Sequence, residues 1–218
     1  MNLAQIGSLV CHQVTERTLQ VGDGYLPLCC RCTGIYAGFL IGIFYQLVFW
    51  RAKLKEIPVL KISLLCFVLI VALIVDSLGS YFKLWSLSNE TRLFLGLLGG
   101  SSISLLLFPV FNYSLFAKSK RDAGITKFVE YAGVLLLVGL FPLFSFIDNR
   151  IAYFVFAVTS IAGVIVLYLM VNTTIGARII SWKNQKDTKW QNVLLLTGTT
   201  LALTGLEFYF LYARHLKF

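Results

Sequence analysis

Charge is scarce in this chain. Only 13% of its 218 residues are Asp, Glu, Lys or Arg, against about 25% in a soluble domain. So little polar surface cannot cover a globule. With 58% hydrophobic residues and a mean hydropathy of +0.80, the composition excludes the ordinary soluble class and leaves the membrane class. Acidic residues are scarcer still, 10 against 19 basic ones, for a net charge of +9. In a soluble chain that excess would suggest nucleic acid. Here the basic residues fall in short loops between apolar runs, so nucleic acid is excluded and the lipid bilayer is the expected partner. No cleavable signal peptide is expected either, because "MNLAQIGSLV" has neither a basic start nor a long apolar core. There is no internal repeat, no low-complexity tract and no linker long enough to divide domains. Residues 1–218 therefore read as a single integral membrane domain.

A spanning helix needs about 20 mostly apolar residues. Six stretches qualify, near 33–50, 59–78, 92–116, 128–147, 151–171 and 191–212. The expected fold is all-α, a polytopic transmembrane helical bundle of about six spans. The third stretch is long and holds Pro109, which predicts a kink or an early end. The fourth and fifth are joined by "DNR" at 148–150, short enough to force an antiparallel hairpin.

Loop charge orients the bundle, since short cytoplasmic loops carry the Lys/Arg excess. Arg51, Lys53, Lys55 and Lys61 fall between spans one and two. Lys118, Lys120, Arg121 and Lys127 fall between three and four, and Arg178, Lys183, Lys186 and Lys189 between five and six. Twelve of the 19 basic residues thus sit in three alternate loops. The expectation is a prokaryotic cytoplasmic-membrane protein with both termini extracytoplasmic.

The most polar run near the start is "CHQVTERTLQVGDGYLPLCCRC", residues 11–32. It holds four of the five cysteines and one of the two histidines, and precedes the first span as an extramembrane or re-entrant segment. Cys29 and Cys32 are spaced as a pair of ligands or redox thiols, at a helix start whose positive end, with Arg31, favours thiolate. Three thiolates and one imidazole, from Cys11, His12, Cys29 and Cys32, would complete a tetrahedral zinc site. Soft thiolates also suit monovalent copper, the alternative metal. Two rivals stay open. One is dithiol–disulfide exchange, with Cys29 or Cys32 as nucleophile and Cys11 as resolving thiol. The other is a structural disulfide or thiol cluster without catalysis, which an extracytoplasmic location permits. Cys66, in "LLCFVLIV", reads as a small core residue.

Ionisable groups inside spans are rare and usually face the interior. Asp76 lies near the outer end of span two, and Asn89 and Arg92 share one face of the entering third helix. Together with Glu16 these are the candidate catalytic or substrate-contacting groups. Arg92 is the partner for an anionic or lipid-linked substrate, and Asp76 and Glu16 are the proton-handling candidates. Asp76 and Arg92 read equally well as an ion pair tying helix ends. Glu207 reads as a hydrogen bond within the bundle, and His215 as a solvated or headgroup-level residue. Positions deeper in the membrane are nearly all apolar, which argues against an ion path. Gly34, Gly38 and Gly42 on span one, and Gly96 and Gly100 on span three, recur every four residues. Small residues at that spacing let helices approach closely, so the two spans are expected near a neighbour, each other in particular, with Cys32 near Arg92.

At these residues the chain resembles a family of small polytopic prokaryotic membrane proteins classed as a domain of unknown function. The likeness runs from "CHQVTER" through "LPLCCRCTGIYAGFLIG" and Asp76 to "SNETRLFLGLLGG", about residues 11–100. It implies roles for Cys11, His12, Gln13, Glu16, Arg17, Cys29, Arg31, Cys32, Thr33, Gly34, Tyr36, Asp76, Asn89 and Arg92. Cys30 falls at the family's variable position, and Thr15 stands where the family usually has proline. The resemblance implies no established activity, substrate or cofactor, so whether the chain is an enzyme stays open.

Overall fold

Backbone N–H and C=O groups in hydrocarbon must be satisfied within the segment that carries them, which favours helix throughout. The computed structural model describes residues 3–21, 24–50, 56–115, 128–146, 149–183 and 197–207, with 209 and 213 beyond. It is an all-α bundle. The helices are α1 (Leu3–Val10), α2 (Cys30–Trp50), α3 (Leu60–Tyr81), α4 (Asn89–Leu115), α5 (Phe128–Leu140) and α6 (Asn149–Lys183). A 3-10 turn at Thr15–Arg17 and a short antiparallel ladder link α1 to α2. The ladder's strands are β1 (Gln20–Val21) and β2 (Gly24–Tyr25), with Val21 opposite Gly24.

Among the described residues, four helices are long and apolar enough to cross a membrane: Cys30–Phe49, Leu60–Tyr81, Asn89–Leu115 and Arg150–Arg178. About six spans were expected, and over the described residues the count is about four. The fourth stretch forms a shorter apolar helix, because α5 stops at Leu140 and the chain tightens into a 3-10 helix over Phe141–Phe146. Pro142 sits in that turn; it cannot donate to the ladder and its ring crowds the preceding turn. Of the sixth stretch, 197–207 and 209 are helical, and residues 191–196, 208 and 210–212 lie outside the described residues. Pro109 neither ends nor shortens its helix, since α4 runs on to Leu115. Packed membrane helices tolerate proline because neighbours re-satisfy the freed carbonyl.

Lipid is as apolar as leucine, so helices here associate through close packing rather than water exclusion. The tightest pair is α2 and α4, which run parallel. A side chain on Gly34 would strike the Leu93 carbonyl, one on Gly38 the Leu97 backbone, and one on Gly100 the Ile35 backbone. Both glycine series face each other, as their spacing predicts. Gly163 of α6 seats against the Tyr36 carbonyl, and Gly99 of α4 against Leu73 of α3.

The helix directions alternate. Gly24 faces the Tyr153 ring at the start of α6, while Arg178 near its end lies 5.7 Å from the Tyr113 ring centroid. So α6 runs parallel to α2 and α4, and α3 runs antiparallel to them, packed on α4. The 197–207 helix packs against α6, with Thr200 beside Thr173, and Thr204 and Glu207 beside Asn172. The start of α2, the end of α3 and the starts of α4 and α6 therefore share one end of the bundle with the N-terminal segment.

Candidate metal centre

Three thiols meet at that end, brought there by two chain segments. Cys11 follows α1, whose helical pattern its N–H extends to Gly7 O at 3.0 Å. Gly7 in turn lies against the Pro27 carbonyl so closely that any side chain would overlap it. Beyond Cys11 the chain reverses at Gln13, which adopts φ 47°, a left-handed conformation costly for a residue with a Cβ. Its side chain holds the reversal by donating from Nε2 to Pro27 O at 2.7 Å. The second segment is the 27–32 turn. Cys29 sits just before α2 and accepts the Thr33 N–H at 2.8 Å, while the buried Thr33 hydroxyl donates back to Leu28 O at 3.2 Å. Cys32 is then one of the first helical residues. The Sγ atoms of Cys11, Cys29 and Cys32 lie within 4.8 Å of one another.

Hydrogen bonds polarise the trio. The Cys29 N–H donates to Cys11 Sγ at 3.4 Å. The Cys29 and Cys32 thiols donate to Cys11 as well, and these bonds hold its thiol far below the usual range, at about 2. Cys29 is raised for the same reason, because it keeps its proton to donate to Cys11. Negative charge thus gathers on Cys11, beside the positive start of α2. Cys11 is buried among Leu28, Ile161 and Val164, with Cys29 and Cys32 half-buried at the edge of the same cluster. Cys30 points away into the main core with Val21, Leu26 and Leu93. All five cysteines are free thiols, and Cys66 is buried as the sequence suggested.

A metal bonded to three sulphurs at about 2.3 Å would set them roughly 3.8 Å apart. The observed spacing is close to that value, so the three-cysteine group could hold a thiophilic ion. His12 is exposed, and the cluster of candidate ligands among the described residues does not include it.

The other predicted residues converge on the same end in different pairings. Asp76 pairs with Arg31, not with Arg92. The reason is positional: Arg31, in the first turn of α2, faces the last turns of α3, where its Nη2 also donates to Ser80 at 3.0 Å. Arg92 leans into the α3–α4 connection and donates to the Ser86 hydroxyl at 3.2 Å. It is only 4% exposed. Asn89 Nδ2 donates to the Glu16 carbonyl at 3.2 Å, fastening the N-terminal segment to α4, while the Glu16 side chain stays exposed. Glu207 accepts from Asn172 Nδ2 at 2.9 Å, an intrabundle bond as expected. His215 lies outside the described residues.

Sequence reasoning did not identify Arg31 as the Asp76 partner, because the two are 45 positions apart. It also passed over Gln46, fully buried between α2 and α4 and donating to the Gly42 and Ser104 carbonyls. An amide in the apolar run "IFYQLVF" was the available signal.

A family described as "Predicted membrane protein (DUF2085)" matches residues 11–106, a stretch that opens on Cys11 and includes Cys29, Cys32, Asp76, Asn89 and Arg92. An uncharacterised protein of Methanocaldococcus jannaschii is 31% identical over 122 residues, covering 54% of this chain and 74% of that protein. An uncharacterised protein of Methanothermobacter thermautotrophicus is 29% identical over 100 residues, covering 44% of this chain and 83% of its own length. No solved structure matches the chain.

Proposed function

Since the chain belongs to the DUF2085 family of membrane proteins, whose matched stretch spans the three thiols, we propose that those thiols form a transition-metal centre at the extracytoplasmic end of the bundle. One observation carries the reading: three unpaired Sγ atoms, from segments 18 residues apart, lie within 4.8 Å of one another. Zinc is the first candidate and monovalent copper the second, as thiolate donors suit both. Cys11, Cys29 and Cys32 supply three bonds. The fourth position goes to His12, once its exposed ring turns inward, or to solvent or substrate. Around the centre, Asp76, Asn89, Arg92 and Glu16 are the groups that would meet a polar, anionic or lipid-linked substrate. Asp76 is already held by Arg31, so proton handling falls to Glu16.

Elemental analysis of the purified protein tests the reading. Wild type should carry about one metal per chain, and Cys29→Ser and Cys32→Ser should lose it. Equal metal content in all three proteins overturns the centre. In His12→Ala, loss of the metal assigns the imidazole, and retention leaves the fourth position to solvent.

A second reading, thiol–disulfide exchange, draws on the hydrogen bonds that Cys11 receives. They lower the Cys11 thiol, so in this reading Cys11 would be the attacking thiolate rather than the resolving thiol. Mass-tagging separates the two. An exchanger loses two taggable thiols on oxidation, whereas a metal centre hides three and releases them to a chelator.

A further inference from the structure

We propose that Arg92 anchors a binding site for a singly charged phosphate group, the chemistry shared by a phospholipid phosphodiester and inorganic phosphate. The site lies at the corner where α3 passes into α4. This deepens the substrate half of the reading above and does not depend on the metal.

Arg92 is 4% exposed, so nearly all of its guanidinium has left water. A guanidinium carries five N–H donors. Here one donates to Ser86, and Nε has no partner. Among the described residues no carboxylate lies within ion-pair range of it. Glu90, two residues earlier, is exposed and bonds Ser88. Burying a cation without a counter-charge is strongly unfavourable, so this burial is best explained by an anion that completes the site.

The neighbourhood fits that ligand. Arg31 and Asp76 cancel one another, leaving the corner with the uncompensated charge of Arg92. Arg31 Nε is likewise buried and unpartnered. The two arginines stand at one level, because the Arg31 carbonyl lies against Gly96, one turn beyond Arg92 on the tightly packed α4. Ser86 is exposed, so the donor group opens to the surface at that hydroxyl. Around the opening, Tyr81, Phe82 and Trp85 are all exposed, the aromatic belt that marks headgroup depth. Arg92 itself is in the first turn of α4, about 4.5 Å along the axis from its start. At that depth the abundant single negative charge is a phosphate, whose oxygens match the guanidinium fork.

The test uses full-length protein in neutral detergent, stripped of lipid. Two probes are titrated separately: inorganic phosphate, and phosphatidylglycerol in mixed micelles. Binding is read from the shift of the thermal unfolding midpoint. At least one probe should raise the midpoint saturably. A response to phosphatidylglycerol identifies a lipid headgroup, and a response to inorganic phosphate alone identifies a soluble source; either sustains the proposal. Arg92→Gln should weaken binding by more than about tenfold. Arg92→Lys, which keeps the charge and loses the fork, should weaken it by about tenfold. Metal content is measured on the same preparations, so failure of the thiol centre is read separately from failure of the phosphate site. No saturable response in wild type overturns the proposal. So does undiminished binding by Arg92→Gln or, should that variant not fold, by Arg92→Lys.

Discussion

At Gly38 the backbone of α2 rests directly on that of α4, so a side chain there meets the Leu97 main chain rather than a movable side chain. Gly38→Leu should therefore destabilise the bundle by more than about 2 kcal/mol, the upper range for overpacking. Gly139→Ala is the contrast, since nothing lies within 4 Å of its added methyl. That change should be neutral or stabilising by up to about 1 kcal/mol through helix propensity alone. Unfolding in a denaturing detergent compares the two, and equal effects would contradict the packing described. Arg31 and Asp76 give a second comparison, with side chains 15% and 5% exposed. Asp76→Ala strands a mostly buried cation and should cost about 3–5 kcal/mol. Arg31→Met combined with Asp76→Leu should cost less than either single change, because an apolar pair removes both desolvation penalties. A double mutant less stable than both singles would mean that the pair does more than hold helix ends together. The glycines were legible in the sequence because their period is local. The ion pair was not, because Asp76 had two arginines within plausible reach and only the register of α2 against α3 chooses between them.

An element-scale contrast lies in α2 itself. Gln46 donates to the Gly42 and Ser104 carbonyls, while its Oε1 has no partner. A half-satisfied amide is weak glue. Polar side-chain bonds between membrane helices average about 0.6 kcal/mol and seldom exceed about 1.7. Gln46→Leu should thus change stability by less than about 1.5 kcal/mol in the same assay, well under the cost of Gly38→Leu. A larger loss would show that the amide, rather than the glycine seam, fixes the α2–α4 register. Element type and order were readable from hydropathy, since apolar runs of spanning length admit little but helix. Element ends were harder. α2 and α4 each begin three residues before their apolar stretches, at Cys30 and Asn89. Polar residues at those ends belong to the first turn rather than the loop. That shift places Cys32 on a helix, where its position is fixed, and confirms Asn89 in the first turn of α4. Pro142 ended α5 where apolarity alone would have carried it on, and Pro109 failed to end α4. Proline's effect thus depends on whether neighbouring helices cover the freed carbonyl, which the sequence does not record.

For the whole molecule, the thiol centre lies at the end opposite the helix ends from which the chain passes into its basic sequence stretches. The trio sits with the starts of α2, α4 and α6, while Trp50, Leu60, Leu115, Phe128 and Lys183 lead into or out of the basic connections. If charge orients this bundle as it orients others, the thiols face away from the cytoplasm, where thiolate chemistry must resist oxidation and a bound metal would protect it. Chelation should then unmask three taggable thiols in the native protein, with Cys30 and Cys66 remaining buried. An unchanged count would mean the trio carries no exchangeable ion. The orientation has its own test, using exposed positions at each end. Glu16→Cys, near the thiols, should react with a membrane-impermeant maleimide in intact cells, and Lys61→Cys only after permeabilisation. The reverse pattern would turn the molecule over and place the three thiols in a reducing compartment. There free dithiols need no metal to persist, and thiol exchange would become the stronger reading.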